Sequence, residues 1–139
     1  MVFVDASGWI GLADPDDAYA APARSILQRL SREQATLLTS NWTLYEALTV
    51  LRVGAQEWQR KVTNLRALVW ESRIALVEVV TRELEDRAVA RFFDLRAYPR
   101  RRWSVVDFAN FVVMDSHGVR RALTQDRTWG DLGYALERP

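Results

Sequence analysis

The sequence predicts an α/β fold, a parallel sheet covered by helices on both faces, and three observations carry that prediction. Short apolar runs at residues 2–4, 35–39, 74–80 and 119–123 alternate with longer stretches whose apolar residues recur at helical spacing. The runs read as strands buried on both sides, as parallel strands are, rather than strands with one wet face. The chain of 139 residues is long enough for one core. It shows no internal repeat, low-complexity tract or linker, so a single domain over 1–139 is expected.

Each element has a local reason. The first strand, 1–5, carries Val2-Phe3-Val4 and ends in Asp5; Ser7-Gly8 turn the chain into a short helical or irregular piece at 9–12. Asp14-Pro15-Asp16-Asp17 is a turn that is acidic where a helix dipole favours it. The helix it opens carries Tyr19, Ala20, Ala23, Ile26, Leu27 and Leu30. After the second strand, a helix starts at Asn41 or Thr43 and runs through Gly54 with Leu44, Ala47, Leu48 and Leu51 on one face. A further helix spans 57–71. Beyond the third strand, Thr81 starts a helix through Arg96 with Leu84, Ala88, Phe92 and Leu95 in phase. A last strand is expected at 134–136.

The most informative stretch is 103–129. Ser104 is a good helix N-cap, and from 105 to 114 only Asp107 and Asn110 interrupt an apolar run. A helix apolar nearly all round is buried, and a carboxylate inside it needs a partner or a purpose. Gly118 closes this helix, a strand follows, and Asp126 sits just past the strand's end.

Composition excludes much. There is no cysteine, so disulfide scaffolds and thiolate metal sites are out; one histidine, His117, excludes a paired-imidazole ribonuclease. No signal-peptide plan and no apolar run of membrane-spanning length is present, which makes the cytosol the default and a membrane partner unexpected. Net charge is only +1, so no global field draws in a polyanion. Lys61 is the one lysine among arginines.

Four acids stand at strand ends or helix starts: Asp5, Glu46, Asp107 and Asp126. In an open parallel sheet this is the edge where sites form. Each also has a structural reading. Residues 43–46 and 104–107 have capping-box spacing, Asp5 can turn the chain, and Asp126 can make an Asx-turn. Taken together, carboxylates about 4 Å apart repel by roughly 4 kcal/mol at an effective dielectric near 20. Such a cluster needs protons, arginines or a divalent cation. Oxygen-only ligands suit Mg²⁺ or Mn²⁺, and the chemistry implied is phosphate-ester hydrolysis. No glycine-rich phosphate loop supports an NTPase.

The ordered set Val4-Asp5-Ala6-Ser7, Glu46 with Leu51-Arg52, Ser104-Val105-Val106-Asp107-Phe108-Ala109 and Leu123-Thr124-Gln125-Asp126-Arg127 resembles the PIN domain. In particular it resembles the small ribonuclease toxins of VapBC toxin–antitoxin pairs, over nearly the whole length. Gln125 and Trp129 stand where those relatives often carry asparagine and phenylalanine. The resemblance implies an α/β/α sandwich and an Mg²⁺- or Mn²⁺-dependent endoribonuclease, with Asp5, Glu46, Asp107 and Asp126 as the catalytic, metal-binding acids. It also implies an RNA substrate, a small antitoxin occluding the acid pocket, and a homodimer. An apolar helix face between 42 and 70 is the expected seat of the antitoxin's helix.

Secondary candidates have two readings each. Ser7 contacts the metal-bound water or a phosphate, or caps a turn. Asn110 hydrogen-bonds a carboxylate, or satisfies the core. Arg52 pairs with an acid or with RNA. Arg100, Arg101 and Arg102 beside Trp103 suit phosphate contact and base stacking, or form a solvated run. Trp42, Trp58 and Trp70 read as packing residues and His117 as a helix C-terminal cap. The rival to the nuclease is a catalytically silent PIN-like module binding RNA or protein; loss of an inner acid would mark it, and none is lost. A phosphatase using Asp5 as nucleophile lacks its second aspartate, since Ser7 stands there.

Overall fold

Val2 and Val4 pack into one apolar layer and Phe3 into the other, all three fully buried, because side chains alternate along the first strand, β1 (Val2–Val4). The computed structural model describes residues 1–54, 56–99 and 102–139. The remaining strands are β2 (Leu37–Ser40), β3 (Ala75–Glu78), β4 (Arg121–Leu123) and β5 (Ala135–Leu136). They form a five-stranded sheet in the order β3-β2-β1-β4-β5, every pairing parallel. The chain therefore runs outward from β1 to β3 and returns on the other side of β1. That reversal opens a crevice beyond the carboxyl ends of β1 and β4.

One layer is α1 (Ala6–Ala13), α2 (Ala20–Arg32), α3 (Asn41–Gly54) and α4 (Trp58–Arg66), which bury Trp9, Ile26, Leu30, Leu51 and Leu65. The other is α5 (Arg82–Phe92) and α6 (Val105–Ser116), packed over Phe3, Leu38 and Ala122. Helix α6 is buried from Phe108 to Met114, as its composition requires. It ends in a Schellman turn: Gly118 takes φ +64°, and Val119 N–H returns to Met114 O at 2.8 Å. Gly8 lets α1 approach β4, since a Cβ there would lie 2.5 Å from Leu123 Cδ2 and 2.8 Å from Leu123 O.

Some boundaries differ from expectation. The irregular piece at 9–12 is the body of α1. The acidic turn does not open α2 directly. Asp14 and Asp17 instead make successive Asx bonds to the N–H groups of Asp16 and Tyr19, and the helix starts at Ala20. The helix expected over 57–71 is α-helical to Arg66 and finishes as a π-helical turn, Ala67–Glu71. Helix α5 ends at Phe92 rather than Arg96. Lys61, the sole lysine, is only 4% exposed and meets Asp14 at 2.8 Å, a pairing that lowers the Asp14 pKa and raises that of Lys61. Among the described residues no helix is long and apolar enough to cross a membrane.

Candidate active site

Asp5 leaves β1 at the N-cap position of α1 and is 8% exposed. Its Oδ2 accepts Ser7 Oγ–H at 3.0 Å and Thr124 Oγ1–H at 2.9 Å. Both donors also serve the loop that leaves β4: Ser7 Oγ accepts Gln125 N–H at 2.9 Å, and Thr124 Oγ1 accepts Asp126 N–H at 3.0 Å. One hydroxyl thus connects the ends of two adjacent strands and two of the acids.

Asp107 lies in the first turn of α6, where a capping box forms. Ser104 Oγ accepts Asp107 N–H at 3.1 Å, while Asp107 Oδ2 accepts Ser104 N–H at 2.7 Å and Ser104 Oγ–H at 2.8 Å. Asp126 caps a 3-10 helical turn, Arg127–Leu132, with Oδ1 accepting Thr128 N–H at 2.8 Å. The structural readings of these two acids are therefore realised, yet each spends only one oxygen on its cap. For Glu46 the capping-box reading fails. Ser40 Oγ takes the Thr43 N–H at 3.1 Å and starts α3, which leaves the Glu46 carboxylate unbonded among the described residues.

All four acids line one open cavity of about 340 Å³, with Ser7, Ile10, Val50 and Gln125 completing its walls. The electrostatics agree with that placement. Burial raises the Asp5 pKa, against its hydroxyl partners, and the Asp107 charge raises it further. Desolvation and then the charges of Asp5 and Asp107 raise Glu46. Burial raises Asp107, and Asp126 adds to the effect. Trp129 Nε1 is buried and has no partner within hydrogen-bond distance among the described residues, but it lies near enough to Asp107 to favour that carboxylate's charged form.

Among the described residues no three of these side chains close into a finished metal cage. The physical reason is visible in the caps: Asp107 is drawn back to its own helix start and Asp126 into its turn. Neutral donors, which the expectation of protons, arginines or a cation did not include, already share the work of holding these acids. The donor set nevertheless fits a hard divalent ion. It is all oxygen, its acids repel one another, and Asp5, Glu46, Asp107 and Asp126 each keep an oxygen outside the hydrogen bonds just described.

Other candidates are placed differently. Ser7 Oγ–H donates to Asp5 Oδ2 and its oxygen accepts Gln125 N–H, in place of a cap on the turn that follows it. Asn110 does not bond a carboxylate; its Oδ1 accepts Ser40 Oγ–H at 3.0 Å and Thr43 Oγ1–H at 2.7 Å, which ties α6 to the start of α3. Spacing placed it on the Asp107 face, but one turn further in, where β2 ends. Among the described residues Arg52 pairs with no acid; its guanidinium stacks 4.4 Å over the Trp58 ring. Arg102 is exposed and meets Asp131 at 3.3 Å; Arg100 and Arg101 lie outside the described residues. His117 sits at the C-cap of α6 and pairs with Glu78 at 3.0 Å. Sequence reasoning passed over Thr124. Its only signal was a hydroxyl directly after a strand at the reversal point.

A sheet reversed beside β1 and acids gathered at its carboxyl edge define a class, the PIN-domain ribonuclease. Within it the chain is a VapC-like endoribonuclease toxin. It is 29% identical over 139 residues to the 23S rRNA-specific endonuclease VapC20 of Mycobacterium tuberculosis, covering 100% of this chain and 99% of that protein, in strains CDC 1551 and H37Rv alike. The crystal structure of that VapC20, described as a sarcin–ricin-loop-cleaving toxin, superposes with a TM-score of 0.83 at 29% identity over the full length of both chains. No family model matches the chain.

Proposed function

We propose that Asp5, Glu46, Asp107 and Asp126 hold Mg²⁺ or Mn²⁺ and that the chain, a single domain over 1–139, hydrolyses phosphodiester bonds of structured ribosomal RNA. The observation that carries this is the convergence of four acids from α1, α3, α6 and the β4 exit on one cavity, with three of their pKa values raised. A divalent cation bound there lowers the pKa of a coordinated water and offsets charge on the phosphoryl oxygens.

The protein's own groups supply position and charge. Ser7 and Thr124 hold Asp5 on the pocket floor, and Asn110 fixes α3 so that Glu46 reaches the rim. Asp126 has Oδ1 held in its turn and Oδ2 outside that bond, where it would accept a proton from a water attacking phosphorus in line as the ribose oxygen leaves and is protonated by solvent.

The partner is a small cytoplasmic antitoxin whose helix lies on the exposed apolar side chains Tyr45, Val50 and Val53 of α3, and the toxin is a homodimer. Val50 also walls the acid cavity, so an occupant of this face covers the site. Cleavage of purified ribosomal RNA by the antitoxin-free protein tests the proposal. Cutting with Mg²⁺ or Mn²⁺, stopped by EDTA and by Asp107→Asn, is expected. RNA binding without cleavage under any divalent ion favours the silent module instead.

A further inference from the structure

Trp103 precedes Ser104, the residue that caps α6 and binds Asp107. Its indole Nε1–H donates to Thr128 Oγ1 at 3.0 Å, and the backbone N–H of Thr128 donates to Asp126 Oδ1 at 2.8 Å. The start of the helix that carries Asp107 is thereby pinned to the turn that carries Asp126. Arg102 adds a second tie to the same turn through Asp131 at 3.3 Å.

The N–H and the ring of Trp103 do separable work. The ring packs edge-on against Tyr98, Phe108 and Phe111, with centroids 6.2 to 6.3 Å apart. Phenylalanine retains that kind of packing. It lacks the donor. A tryptophan present only for bulk has no need of a threonine hydroxyl placed on its nitrogen in a half-buried turn.

We infer that Trp103 and Thr128 are positioning residues that fix the separation of the Asp107 and Asp126 carboxylates, and through it the affinity of the pocket for its divalent ion. The inference rests on the reading of Asp126 as part of a metal site. Loosening the tie lets the turn and the helix start drift apart, and oxygens that must share one ion lose their common focus. Partners that orient ligands in this way are worth about ten- to hundred-fold in metal affinity.

The test is Mn²⁺ binding to the full chain, followed by electron paramagnetic resonance of the free ion. It compares the parent with Trp103→Phe, Thr128→Val, Thr128→Ser, Asp126→Ala and the Trp103→Phe/Asp126→Ala double variant. Trp103→Phe and Thr128→Val are expected to weaken Mn²⁺ about tenfold, with Thr128→Ser close to the parent. In the Asp126→Ala background Trp103→Phe should cost nothing further. Circular dichroism checks the fold, and Thr128→Val carries the test should Trp103→Phe melt. Parent-like affinity in both Trp103→Phe and Thr128→Val, or an equal loss without Asp126, overturns the inference alone. A parent that binds no Mn²⁺ overturns the metal reading and this inference with it.

Discussion

Thr124 holds Asp5 from across the sheet. Its Oγ1 donates to Asp5 Oδ2 at 2.9 Å, although 119 positions separate the two in the chain. The same oxygen accepts the N–H of Asp126 at 3.0 Å, so a single hydroxyl spaces two acids at the point where the sheet reverses. Thr124→Val keeps the shape and deletes that function. A hydrogen bond to a carboxylate is worth about 1.5–3 kcal/mol, so kcat/KM for RNA cleavage should fall about ten- to hundred-fold. Thr124→Ser should retain most activity. Steady-state cleavage of a labelled RNA reads both, and an undiminished Thr124→Val enzyme would remove the hub from the account.

The raised pKa values of Asp5, Glu46 and Asp107 have a signed consequence. Between the ordinary carboxylate range and those raised values, the folded metal-free protein holds protons that the unfolded chain has released. The contribution of these three groups to stability therefore falls as pH rises through that window, and is fully present only below the ordinary carboxylate range. A divalent ion binds the ionised acids and opposes the loss. Thermal melts with and without Mn²⁺ should show a larger stabilisation by metal at about pH 8 than at about pH 5. A shift independent of pH would mean that the ion binds elsewhere.

Asn110 receives two hydroxyls in a fully buried position, and its own amide nitrogen has no partner among the described residues. Asn110→Ala leaves one of the Ser40 and Thr43 hydroxyls without its acceptor, since the two lie 2.9 Å apart and can bond each other. The expected cost is about 1–3 kcal/mol, read as a lowered midpoint in urea denaturation. A change under about 0.5 kcal/mol would show that the tie between α6 and α3 carries no stability.

Gly8 tests the approach of α1 to β4. An added methyl meets Leu123 backbone and side chain at under 3 Å, so Gly8→Ala should cost about 1–3 kcal/mol despite alanine's better helix propensity. Differential scanning calorimetry decides the sign; a stabilised Gly8→Ala protein would show that the contact yields freely.

The layers were legible because Val2-Phe3-Val4 and the 105–114 run are apolar on every side, which only a two-faced sheet and a buried helix accommodate. The acids were legible because each stands at the end or the start of an element. What escaped depends on which strands become neighbours. Thr124 reaches Asp5 because β4 lies beside β1, and nothing in chain order states that adjacency. Lys61 and Asp14 meet across α4 and the end of α1 for the same reason. Helical spacing located Asn110 correctly on its helix, yet could not show that Ser40 and Thr43 would fill its oxygen. That the Arg52 guanidinium lies over the Trp58 ring was not legible, because the contact depends on how α4 packs against α3.

The account stands most directly on Mn²⁺ titration of the parent protein alongside Asp5→Asn, Glu46→Gln and Asp107→Asn. A saturable site in the parent, weakened at least about tenfold in each variant, is the result required. Parent-like affinity in Asp5→Asn, the acid at the floor of the cavity, would contradict it.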